Sequence, residues 1–222
     1  MAKAPPWVSR YLDIINRLRP VLYKFEVGDL TFEQFINEVN RALVNCGYDP
    51  VKVLVSDVMT ELFGAYSVYM PYRFVSRIYI STGLLAKPRT LLGRVIMHEV
   101  FHHVLYQRPP TPLFRLAPRR TEPLLLITLP LMILAILIAA FGGSSSALPY
   151  AVLSSSISMA VVTALLIKAL NNHELIATAL VVYLLTGRWV TDWVYYHDDN
   201  ALMSIEWSDD ARPREVIVGV KG

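Results

Sequence analysis

The sequence predicts a mainly helical α+β chain with a small β-sheet, interrupted by an inserted pair of long apolar helices. Three observations predict it: helical spacing of apolar residues in the first half, two short runs rich in Tyr, Val and Ile between residues 65 and 82, and two apolar stretches after residue 122. At 222 residues the chain can bury one core of its own. Its 54% hydrophobic content and mean hydropathy of +0.41 exceed what such a core needs, and the excess sits in the two stretches.

In chain order, Trp7, Tyr11, Ile14, Ile15, Leu18, Val21 and Leu22 recur at helical spacing over residues 7–24, interrupted late by Pro20. Thr31 with Gln34 forms a capping box for a second helix. Phe32, Phe35, Ile36, Val39 and Leu43 line one face of it until Gly47 and Pro50. Residues 51–63 read as a third helix, and 65–70 and 76–82 as strands. A strong helix over 91–106 follows, with Thr90 as its N-cap and Pro109-Pro110 as its stop.

The stretches over 123–141 and 147–170 carry Lys168 as their only formal charge. A helix over the first would rise about 28 Å, close to the ~30 Å hydrocarbon core of a bilayer. Joined by Gly142, Gly143 and Ser144 to Ser146, they are expected to form a transmembrane hairpin whose ends emerge on one side. Arg108, Arg115, Arg119, Arg120, Lys168 and Arg188 flank it, so the remainder is expected to be cytoplasmic, in a multi-pass protein of the cell membrane with two spans. Residues 171–186 continue as helix to Gly187. The tail carries an acidic helix around 198–207 and a short strand over 215–220. Trp189, Trp193, Tyr195 and Tyr196 suit either an interfacial belt or the core.

The opening residues lack the apolar core and cleavage site of a secretory signal. Cys46 is the only cysteine, which excludes an intramolecular disulfide and a cysteine-built zinc site. The net charge is +3, and the arginines cluster beside the apolar hairpin. They are expected to meet a lipid bilayer, with no nucleic-acid partner.

Chemistry concentrates at His98-Glu99-Val100-Phe101-His102, an H-E-x-x-H pattern on the helix over 91–106. The i, i+4 spacing aims both imidazoles at one ion, and Glu99, rotated by about 100°, stands beside the ion as a general base. A catalytic zinc needs three protein ligands and an open position for water. His103 is about 100° off the His102 face and is expected to be partly exposed. His173 and Glu174 follow the second apolar stretch; Glu174 is the preferred third ligand, against capping or snorkelling of the pair at a membrane boundary. Among downstream donors to a developing oxyanion, His197 ranks before Tyr195 and Tyr196, against a plain surface histidine beside Asp198 and Asp199.

RIYISTGLL followed by LLGRVIMHEVFHH resembles the HtpX-like membrane zinc metalloproteases, gluzincins that include the CAAX prenyl-protein endopeptidase. The resemblance spans about residues 75–180. It implies a zincin-like catalytic domain with His98, His102 and Glu174 on Zn2+, Glu99 as base, and Ala177 as the small residue of an E-x-x-A-D motif. It also implies residues 76–82 as the open sheet edge that pairs with an extended substrate. Where the family has Asp to orient the first metal-bound histidine, this chain has Thr178, and its N-terminal region lacks the family's further hydrophobic pair.

The domain reading is then 1–63 as an N-terminal helical region, 64–122 as the first part of the catalytic domain, 123–170 as the hairpin, and 171–222 as the second part with the third ligand. The expected activity is zinc-dependent endopeptidase action on peptide or protein substrates, membrane-associated or misfolded, at the cytoplasmic face. A site-2-type intramembrane protease fits less well, because Arg94 and its polar neighbours keep the motif helix out of lipid and no L-D-G motif is present. A non-catalytic scaffold with a vestigial or structural metal is the alternative from another class.

Overall fold

The computed structural model describes residues 4–71, 75–110, 133, 172–190 and 199–213. The chain divides into two compact units, one of Met1–Pro110 with Glu174–Gly222 and one of Thr111–His173, the second almost wholly outside the described residues. The first unit is mainly helical with a three-stranded sheet.

Helix α1 (Leu12–Val27) follows a 3-10 turn over Pro6–Tyr11 and turns Ile14, Ile15, Leu18, Leu22 and Phe25 inward. Pro20 lies inside α1 and does not end it, although a proline there removes one backbone hydrogen bond. Gly28, at φ 96°, ends it in a left-handed cap in which the Asp29 N–H donates to the Lys24 carbonyl at 2.8 Å. Helix α2 (Phe32–Asn45) has the expected capping box: the Gln34 N–H donates to Thr31 Oγ1 at 3.2 Å, and the Thr31 N–H to Gln34 Oε1 at 2.8 Å. Phe25 and Phe35 stack at 4.2 Å between the two helices.

Residues 51–63 are not one helix. Strand β1 (Lys52–Val55) occupies their first half, Ser56 caps the short helix α3 (Asp57–Phe63), and β1 is held by partners more than twenty residues away. Strands β2 (Ser67–Met70) and β3 (Arg77–Ile80) fall within the two expected runs. The order is β1-β3-β2, with β3 parallel to β1 (Val53↔Ile78) and antiparallel to β2 (Tyr69↔Ile78). Strand β3 is therefore the central strand and cannot be the open edge expected of it, since its backbone bonds on both sides are taken. The edge beside the motif helix is β2.

After the single turn α4 (Thr82–Leu85), helix α5 (Arg89–Gln107) begins behind Pro88, one residue before Thr90, and carries the H-E-x-x-H residues. Every residue from Leu91 to Leu105 except His98 is buried. A helix covered all round runs through the middle of its fold. Helix α1 crosses it closely at Gly93, where an added Cβ would come within 2.8 Å of Leu22 Cδ1 and 3.0 Å of Phe25 Cδ1. Arg94, expected as a polar residue facing away from lipid, is 3% exposed and buried in protein. Its guanidinium donates to Glu26 at 2.8 Å and to the carbonyls of Leu202, Met203 and Ile205 at 2.6, 3.0 and 2.8 Å.

Helix α6 (residues 172–186) ends at Gly187, which has φ 69°. Helix α7 (Asp199–Ser204) lies within the expected acidic helix. Trp189 belongs to the core, edge-on to Trp7 at 5.3 Å. The expected strand over 215–220 and the residues Trp193, Tyr195, Tyr196 and His197 lie outside the described residues.

Among the described residues no helix is long and apolar enough to cross a membrane. This corrects the expectation of a two-span protein of the cell membrane with transmembrane helices and a cytoplasmic catalytic part. The apolar faces of α1 and α5 are buried against protein, α1 on α2 and α5, and α5 on β2, β3 and α7, while Val58 and Leu62 of α3 are exposed. The segments 123–141 and 147–170 that carry the expectation lie, Ile133 apart, outside the described residues.

Candidate metal centre

Helix α5 sets His98 and His102 one turn apart on one face, their rings 4.5 Å from centroid to centroid and nearly perpendicular. Helix α6 brings Glu174 to the same point. His98 Nε2 and His102 Nε2 are 2.8 Å apart, and Glu174 Oε2 lies 3.1 Å from the first and 2.9 Å from the second. These are the donor atoms a metal would share, and His98, His102 and Glu174 form the group that could hold one. Donors in a tetrahedron at 2.0–2.1 Å from zinc stand ~3.3 Å apart, so a small opening of the trio fits an ion. Two neutral nitrogens and one carboxylate suit a divalent metal of intermediate softness.

The neighbours of the trio are set as a metal site needs them. Glu99 is buried, and its Oε1 accepts from Ser67 Oγ of β2 at 2.6 Å, so the sheet edge grips the carboxylate beside the metal ligands. Thr178, one turn after Glu174 on α6, places Oγ1 3.2 Å from His98 Nδ1. His103 is fully buried, against the expectation of partial exposure. Its Nε2 is 2.7 Å from the Asp49 carbonyl and its Nδ1 3.1 Å from the Tyr69 hydroxyl, and burial pushes the imidazole below its ordinary pKa. It is a packed crosslink behind the metal face. His173 is also buried and is not part of the donor group. The expected oxyanion donor His197 lies outside the described residues.

Ser67 carries no sequence signal, because only the pairing of β2 with β3 and its packing on α5 bring it to Glu99. No protein-family model, no curated protein and no solved structure matches this chain. The geometry of the site is thus the main support for a functional reading.

Between Glu174 and His102 burial opposes charge on both partners, yet their mutual attraction wins. His102, and then His98, holds the Glu174 carboxyl below the ordinary carboxylate range, while Glu174, and then Glu99, raises the His102 imidazole. A lowered carboxylate pKa contributes stability that is present above the unfolded value of about 4.3 and lost as pH falls through the folded value. A raised histidine pKa contributes stability that is present below about 6.5 and lost as pH rises through the folded value. Chelator-treated protein is therefore expected to lose melting temperature as pH rises past neutrality. Metal-saturated protein should gain over the same range, because the ion competes with the proton on His102. Melting curves with chelator and with added metal check this, and parallel pH profiles would contradict it.

Proposed function

We propose that this chain is a zinc-dependent endopeptidase with a zincin-like catalytic unit, in which His98, His102 and Glu174 hold the ion and Glu99 is the general base. The observation that carries the proposal is the convergence of three metal-donor atoms from α5 and α6, with a buried carboxylate next in sequence to the first histidine. The resemblance of the H-E-x-x-H helix and the later E-x-x-A segment to HtpX-like metalloproteases agrees with it.

Held by His98, His102 and Glu174, zinc would supply a Lewis acid able to polarise a peptide carbonyl and to acidify water. Glu99 is the residue that would take a proton from the attacking water and return it to the leaving amine, as a carboxylate in this position can act in both directions. Ser67 keeps Glu99 in place by donating to one oxygen, which leaves the other oxygen for the water. An extended substrate segment pairs along the outer edge of β2, whose residue Ser67 already touches the base, and main-chain pairing holds a peptide without reading its side chains.

Elemental analysis of wild type purified without chelator is expected to find about one zinc per chain, and Glu174→Ala is expected to lose most of it. A wild type free of metal would overturn the proposal. Full zinc in Glu174→Ala would remove Glu174 from the ligand set.

A further inference from the structure

Thr178 stands where the resembled family has a carboxylate, and the sequence alone leaves the orientation of His98 without a partner. The structure assigns that role to Thr178 itself: its hydroxyl accepts from His98 Nδ1–H and so fixes the histidine with Nε2 toward His102 and Glu174. The inference rests on the proposed metal site and concerns what tunes it.

Two observations carry it. Thr178 Oγ1 lies 3.2 Å from His98 Nδ1 and Thr178 is 3% exposed, so a buried hydroxyl meets the one ring nitrogen that faces away from the donor trio. Glu174 and Thr178 are four residues apart on α6, so one helical face delivers both a ligand and the group that aims a ligand. The sense of the bond follows from the other end of the ring. Nε2 can offer a lone pair to a metal only if Nδ1 carries the proton, and a proton on Nδ1 needs an acceptor, which in a buried place must be protein. Thr178 is thus a positioning residue.

A neutral hydroxyl polarises the ring less than a carboxylate does, so this site should hold its ion less tightly than one with an Asp at position 178. The hydroxyl keeps the tautomer while adding no second negative charge beside Glu174, the one anionic member of the trio.

The test is zinc affinity by competition with a chromophoric chelator, for wild type, Thr178→Val and Thr178→Ser. Thr178→Val keeps the shape and removes the acceptor, and is expected to bind zinc about tenfold more weakly. Thr178→Ser keeps the hydroxyl and should stay within about twofold, which a purely space-filling role for threonine would not give. The melting temperature of each chelated protein reports folding separately. Should the valine variant fail to fold, Thr178→Ala makes the same deletion without an added methyl, and nitrogen NMR of zinc-loaded wild type reads the His98 tautomer directly. Equal affinity in wild type and the variant lacking the hydroxyl, or a proton on Nε2, would overturn the assignment. Wild type that binds no zinc would instead overturn the metal site on which it rests.

Discussion

Glu99→Gln is expected to lower kcat for peptide hydrolysis by about a thousandfold while zinc content and melting temperature stay near those of the wild type. The size of the loss is what general-base catalysis by a positioned carboxylate contributes, about a hundred- to ten-thousandfold. The variant isolates that contribution. Glutamine has nearly the same volume as glutamate, so the buried position remains filled, and its amide oxygen can still accept from Ser67 Oγ as Oε1 does now at 2.6 Å. The ligands His98, His102 and Glu174 are unchanged, so the ion should remain. Paired measurements of hydrolysis of an unstructured peptide substrate and of bound zinc read both halves of the expectation. A variant as active as wild type would remove Glu99 from the chemistry. A wild type that binds zinc and cleaves nothing would favour the scaffold reading.

The parts of this site that were legible in the sequence are those written at short range. An i, i+4 pair of histidines needs only a helix to converge, and the residues around 98 and 102 form one. The same holds for the box of Thr31 and Gln34 and for the stop at Gly187, each decided within four residues. Glu174 needed a second helix to arrive at the right place. In the sequence a carboxylate beside a histidine at the end of an apolar stretch marks it, and the fold brings its Oε2 to both imidazoles.

What was not legible depends on partners far along the chain. Lys52–Val55 is a short apolar run whose period does not separate strand from helix, and only its register with Arg77–Ile80 makes it a strand. Whether β3 is central or at an edge follows from which strands flank it, and local propensity is silent on that. His103 is expected to be partly exposed because it turns away from the metal face. The direction is right, but the space there is occupied by Tyr69 and Asp49, 34 and 54 residues away in sequence. Helix α5 has no polar stripe to reveal which side meets solvent, since it meets almost none. Thr178 could be recognised as a departure from a motif, but the bond that gives it a role appears only when α5 and α6 are placed side by side.

Arg94 shows the same dependence with the largest expected energetic consequence. It lies four residues before His98, yet its guanidinium is buried against Glu26 of α1 and three carbonyls that follow one another closely around the end of α7. Trp207 Nε1 donates at 2.7 Å to the second oxygen of Glu26, completing a buried polar cluster that ties the metal-bearing helix to α1 and to the chain after residue 201. A pair desolvated this far is not by itself a large source of stability, because attraction and desolvation nearly offset. Removing one partner is another matter. Arg94→Met keeps much of the volume but leaves the Glu26 charge with Trp207 Nε1 in place of its cation, and the three carbonyls without the guanidinium, and should cost about 3–5 kcal/mol. Glu26→Gln should cost less than Arg94→Met, since the guanidinium keeps its three carbonyls and the amide oxygen still accepts one donor, but the amide nitrogen then faces the other donor, Trp207 Nε1 or Arg94, which makes the change costly too. The double variant Arg94→Met with Glu26→Leu should recover part of the loss of Arg94→Met, because no charge is then left buried and alone. Denaturant unfolding of the three variants measures these differences. A loss below about 1 kcal/mol for Arg94→Met would mean that water reaches the cluster and screens it as it does a surface pair.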